Sequence, residues 1–179
     1  MPMLEDHAVR NEASTAGWIA GSLVRCMPTP PEPTEFDRFG VLVRHDGATG
    51  ARTDFSHVFE THAALPPRLH VNHVEPSTLP LGVERLERHP ASWQAFLPLD
   101  VSRYVVCVAG SLADGSPDPS DVQAWIFDGH TGVALAPGVW HVGATVLDRT
   151  GHFAVIWPRL DRDADTEWAA LPATLTLTR

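Results

Sequence analysis

No apolar run in this chain approaches the roughly 20 residues that a membrane-spanning helix needs. The first seventeen residues, Met1 to Gly17, are polar and mixed in charge. They lack the basic patch and following apolar stretch of a secretory signal. Basic residues are also too few for a phosphate-binding face: the formal net charge is −9, which argues against a nucleic-acid partner. An anionic small substrate stays compatible with that charge, because one or two arginines can hold a carboxylate. Only two cysteines occur, Cys26 and Cys107, each inside a strand-like stretch, and both read as small buried hydrophobes. There is no Gly-x-Ser-x-Gly elbow, no histidine flanking either cysteine and no Gly-rich phosphate loop. Nor does any repeat occur at a solenoid or propeller period. A cytoplasmic protein, with neither a nucleic-acid nor a membrane partner, is the default expectation.

What is present is β pattern. The 179 residues suit one core, and 44% are hydrophobic, an ordinary share for a globular chain. We read residues 1–17 as an N-terminal arm and 18–179 as a single β-barrel domain. Trp18 to Cys26 has strand character, and prolines 28, 30, 31 and 33 then interrupt regular structure. Thr34 to Gly40 fits a short helix with Thr34 as cap and Gly40 as stop. Val41 to His45 reads as a strand before the turn Asp46-Gly47. Further strands are expected over Thr53–Phe59, Pro67–Val74, Val83–Arg88, Gln94–Leu97, Tyr104–Ala109, Val122–Phe127, Gly132–Leu135, Thr145–Leu147 and Phe153–Pro158. Turn signals separate them at Asp114-Gly115, Asp128-Gly129, Pro137-Gly138 and Thr150-Gly151. Many short strands with closely spaced turns mean a sandwich or barrel. Residues 161–165 read as a charged loop, and Thr166 to Leu171 as a helical turn or more.

Two segments carry chemistry. In Leu86-Glu87-Arg88-His89-Pro90, strand alternation points Glu87 and His89 one way and Arg88, with Leu86, the other. A carboxylate–imidazole pair lining a cavity is a usual way to tune a general base; the same residues could equally form a solvated strand end. Gln94 shares a face with Phe96, and its amide can serve a ligand or a loop carbonyl. In the second segment, Trp140-His141 follows a tight turn at Pro137-Gly138, a placement that suits a pocket mouth or a core histidine. His70 and His73, three apart, would face opposite sides of a regular strand. A metal, if one is held, would use His70, His73 and His141; otherwise no cofactor is expected.

These motifs resemble the ureidoglycolate lyase family, formerly called ureidoglycolate hydrolase. Leu86-Glu87-Arg88-His89-Pro90 with Gln94-Ala95-Phe96-Leu97-Pro98 is the most specific match. Phe36-Asp37-Arg38-Phe39-Gly40-Val41, Val71-Asn72-His73-Val74-Glu75-Pro76, Tyr104-Val105-Val106, Ala124-Trp125-Ile126 and Val139-Trp140-His141 extend it from about Ile19 to Pro158. The chain departs from the family where Leu135-Ala136-Pro137 stands for Tyr-His-Arg, at His73 where the family often has arginine, and at Val142-Gly143. The resemblance implies a cupin-like double-stranded β-barrel, mainly β with one or two short helices, and a homodimer. It also implies cleavage of (S)-ureidoglycolate to glyoxylate and urea in allantoin and purine breakdown. The roles it implies are His141 as base, His89 with Glu87 as acid or orienting pair, Arg88 as carboxylate anchor and Gln94 for the ureido group, with Trp140 and His73 also lining the substrate site. Two alternatives stay open: a same-fold enzyme on another small carboxylated or ureido substrate, metal-assisted through His70 and His73, and a non-catalytic small-molecule-binding barrel.

Overall fold

The computed structural model describes residues 10–12, 17–45, 47–62, 65–158 and 165–179. Most of the expected N-terminal arm, Asp46 of the expected turn and residues 161–164 of the charged loop lie outside them. In chain order the elements are β1 (Arg10–Glu12), β2 (Leu23–Arg25), α1 (Pro33–Phe36), β3 (Gly40–Val43), a 3₁₀ segment (Ser56–His62), β4 (Pro67–Val74), β5 (Leu81–Arg88), β6 (Gln94–Pro98), β7 (Arg103–Ser111), β8 (Pro117–Asp128), β9 (Gly132–Leu135), β10 (Trp140–His141), β11 (Thr145–Leu147), β12 (Gly151–Pro158) and β13 (Glu167–Thr178). None of the helices among the described residues is long and apolar enough to cross a membrane.

Two sheets result. The eight-stranded sheet runs β1-β13-β5-β10-β7-β11, with β2 added on β13 and β8 on β7. It curls until β2 and β8 meet: Met27 N–H donates to Ala124 O (2.9 Å) and Ile126 N–H to Met27 O (2.8 Å). Curling of this kind pairs edges that would otherwise be exposed. The five-stranded sheet runs β3-β9-β6-β12-β4. The expectation of a mainly β, barrel-like fold is met.

Alternation along β7 explains the two cores. Val105, Cys107 and Ala109 pack with Leu86, Trp140, Ala169, Leu175 and Leu177 on one face. Tyr104, Val106 and Val108 pack on the other with Phe96, Val133, Phe153 and Val155 from the second sheet. Phe36 of α1 caps this second core and is fully buried, edge-on to Trp125 (5.8 Å between centroids) and Phe127 (6.4 Å). Burial of one such ring contributes roughly 1.5–3 kcal/mol relative to exposure. Gly40 is required where the chain leaves α1: its φ is 152°, and a Cβ there would lie 2.0 Å from Ala134 O.

Five local expectations are corrected. The strand expected over Thr53–Phe59 is instead the 3₁₀ segment, which begins where Asp54 Oδ1 accepts from Ser56 N–H. That side-chain turn competes with strand pairing. The helical turn expected over Thr166–Leu171 is the start of β13, because pairing with β5 from Glu167↔Arg88 onward outweighs local preference. The helix near Thr34 is shorter and starts earlier: Pro33 is its first residue, and Glu35 returns its carboxylate to Glu32 N–H. Gly40 belongs to β3. The strand expected over Trp18–Cys26 reduces to Leu23–Arg25, and the one over Val41–His45 shifts to Gly40–Val43.

Candidate active site

Register places the site. His141 lies opposite Glu87 on β5 and opposite Val108 on β7. Trp168 on β13 is Glu87's partner on the other side. Directly opposed residues share a face, so Glu87, His141 and Trp168 project to the same side, toward the second sheet. His89, just past the end of β5, follows Glu87 by two and joins them. Gln94 opens β6 in the second sheet and reaches His141 across the interior.

The hydrogen bonds define donors and acceptors. His141 Nδ1 donates to Val139 O (3.0 Å). Its Nε2 then faces two acceptors, Gln94 Oε1 at 3.0 Å and Glu87 Oε1 at 3.3 Å. A proton on Nε2 is therefore held from both sides. His89 Nδ1 donates to Asp165 O (2.7 Å), which leaves its Nε2 as a lone pair. That atom is buried with no hydrogen-bond partner. The His89 ring stacks on Trp157 (4.0 Å between centroids) and lies 5.5 Å from the His141 ring. A buried, unpaired polar atom beside a carboxylate is a functional signal, because leaving it unsatisfied is costly.

Charge follows burial and partners. Burial, and then the neighbouring His141 charge, push the His89 pKa down to about 4; the imidazole is neutral at pH 7. For Glu87 burial opposes ionisation, but the hydrogen bond from His141 and the charges of His141, His89 and Arg85 outweigh it, so its pKa sits below the ordinary carboxylate value. An ionised carboxylate and the His141 Nε2, 3.3 Å apart, thus stand side by side in the lining of a cleft of about 590 Å³.

The other sequence-predicted residues lie elsewhere. Arg88 is on the opposite face of β5, as alternation requires. It is held by Glu167 (Nε–Oε2 2.7 Å), donates to Gly115 O (2.8 Å), and lies 4.5 Å above the Trp140 ring. Trp140 is fully buried and donates its indole N–H to the same Gly115 carbonyl. Gly115 presents that carbonyl from a turn at φ 83°. His73 is on β4 in the second sheet, exposed, against His152 (4.7 Å) and near Glu75. Arg88, Trp140 and His73 are therefore not brought to the Glu87–His141 cleft.

The candidate metal ligands gather differently from the set His70, His73 and His141. Among the described residues the group close enough to share one ion is Glu87, His89 and His141, whose ligand atoms lie within 4.8 Å of one another. His70 and His73, on β4, are not part of it. Both imidazoles of the group donate Nδ1–H to a backbone carbonyl, the usual way of orienting a metal-ligating Nε2. Two histidines and one carboxylate suit a divalent transition metal. Asp165 was missed by sequence reasoning. Its carbonyl orients His89, and its carboxylate accepts from Ala91 N–H (2.9 Å) and from Ser92 Oγ. Two further cleft residues, Arg85 and Trp168, were also missed; for Arg85 the signal was its i,i+2 spacing from Glu87.

The fold is a curled, barrel-like β fold, with a carboxylate and two oriented imidazoles gathered beside an open cleft. Comparison with known proteins narrows the class. The family model described as "Ureidoglycolate lyase" matches residues 25–178, and the chain belongs to that family. It is 40% identical over 86 residues to the ureidoglycolate lyases of Escherichia coli (strain K12 / DH10B) and of Shigella boydii serotype 18. The matched segment is 48% of this chain and 52% of each relative, so it spans about half the length of these curated relatives.

Proposed function

We propose that this chain cleaves (S)-ureidoglycolate to glyoxylate and urea, in purine-nitrogen breakdown in the cytoplasm. The observation that carries the reading is the Glu87–His141 pair at the foot of the cleft. Glu87, held ionised, removes the carbinol hydroxyl proton. The oxygen's electrons form the aldehyde C=O bond as the C–N bond breaks. His141 Nε2 delivers its proton to the departing urea nitrogen, and the pair then exchanges the proton taken by Glu87 to restore the start. General acid–base steps of this kind contribute about 10²–10⁴-fold each. Gln94 holds His141 in place. His89 stands behind them, neutral. His141 is thus the acid rather than the base, because two oxygen acceptors flank its Nε2.

A second reading is carried by the unpartnered His89 Nε2. Glu87, His89 and His141 would hold a divalent cation, which would supply Lewis-acid polarisation of the substrate's oxygens. The partner we propose for the protein itself is a second copy. Strand β4 ends the five-stranded sheet, and Leu69 and Val71 are exposed on it, which supports edge pairing.

Glyoxylate and urea release from (S)-ureidoglycolate, with wild type beside His141→Ala, tests the proposal. Turnover that collapses in the variant supports it; folded wild type no faster than the spontaneous rate refutes it. Stoichiometric metal in the purified protein, with activity lost on chelation and regained on metal return, would select the second reading.

A further inference from the structure

The reacting molecule carries a carboxylate, and the chain has no lysine, so a cation that holds that carboxylate must be an arginine or an imidazolium. The obvious arginine, Arg88, is spoken for by Glu167 and by Gly115 O on the wrong face of β5. The cleft above Glu87 and His141 is lined by one arginine among the described residues, Arg85.

Arg85 reaches this position by the same alternation that places Glu87. It is two residues earlier on β5, and its register partner is Ala170, two residues from Trp168. Its guanidinium lies 4.5 Å over the Trp168 ring. Such stacking is favourable and limits the side chain to few rotamers. Among the described residues the guanidinium has no hydrogen-bond or ion-pair partner. Its five N–H donors are therefore presented to the cleft with their planar fork intact, the geometry that suits bidentate carboxylate recognition. Its charge also helps keep Glu87 ionised.

We infer that Arg85, braced on Trp168, is the group that binds the carboxylate of the substrate and selects anionic over neutral ureido compounds. This rests on the functional reading above and adds a residue to it. With the carboxylate on Arg85, the adjacent carbinol carbon is directed toward Glu87 and His141. Arg88 then serves the fold rather than the ligand.

The test uses two stable compounds that differ only in charge at one end. Oxalurate has a carbonyl in place of the carbinol carbon; oxaluramide is its neutral carboxamide. Isothermal titration calorimetry of wild type, Arg85→Gln and Arg85→Lys gives the preference for the anion, and turnover of (S)-ureidoglycolate is measured in parallel. Wild type should favour oxalurate by on the order of 10- to 100-fold, the range of a charge-assisted hydrogen-bonded pair. Arg85→Gln should abolish the preference and raise KM by a similar factor, with kcat changed less. Arg85→Lys should keep part of it, since the charge remains without the fork. Wild type that turns over or binds while Arg85→Gln retains the full preference overturns the anchor alone. Folded wild type with neither turnover nor binding overturns the functional reading and the anchor with it.

Discussion

His89 makes stability depend on pH over a window that few other groups share. Its folded pKa is about 4 against an ordinary value of 6.5, because burial disfavours the imidazolium. The unfolded chain binds a proton more readily than the folded chain between these values. Stability therefore rises with pH through the window and is lost as pH falls from about 6.5 to about 4. The full difference is worth roughly 3 kcal/mol, of which about 2 kcal/mol falls between pH 7 and pH 5. Glu87 also has a depressed folded pKa, but its contribution is lost only below about pH 5, so it does not confuse the upper part of the window. Urea unfolding monitored by tryptophan fluorescence at pH 7, 6 and 5 measures the slope. His89→Asn is the control, because its amide can still donate to Asp165 O while carrying no titratable group. The variant should lose about 2 kcal/mol of pH dependence between pH 7 and pH 5. Equal slopes in both proteins, or a flat wild type, would refute the assignment of a neutral, desolvated His89.

Other perturbations separate structure from chemistry. Arg88→Ala leaves Glu167 unpaired in a largely buried setting and should cost about 2 kcal/mol in urea unfolding, with kcat per folded molecule kept within about threefold. A kcat loss of about a hundredfold would return Arg88 to the site. Asp165→Ala removes the acceptor for Ala91 N–H and Ser92 Oγ and should lower stability by about 1–2 kcal/mol. It should also move the folded-state His89 titration to still lower pH, because the Asp165 carbonyl and carboxylate both hold that pKa up; a weaker pH slope than wild type would refute this. Glu87→Gln should lower kcat by about 10²–10⁴-fold with secondary structure intact by circular dichroism. Activity within tenfold of wild type would remove Glu87 as the base.

Much of the fold is legible because strands have a period of two. Pro67–Val74, Gly132–Leu135 and Thr145–Leu147 are bounded by turn residues and match the observed strands. The same period places Glu87 and His89 on one face and Arg88 on the other. It fails where a non-local partner overrides local preference. Residues 167–171 look helical until they are paired with β5, and residues 53–59 look extended until Asp54 closes a turn. Arg85 was readable in principle, being two residues before Glu87, but the β5 pattern alone does not say that its face opens to a cleft.

Family, strand alternation and the identity of the acid–base residue types are properties of the sequence alone, because they depend on neighbours along the chain. Which carboxylate meets which imidazole is not. Glu87 faces His141 only because β10 enters between β5 and β7 at one register, and Gln94 reaches them only because the second sheet lies across that face. The loss of Arg88 to Glu167 and the freedom of Arg85 also follow from β13's pairing with β5. These are contacts between residues some fifty to eighty positions apart, and long-range register is set by the packing of whole faces rather than by local preference.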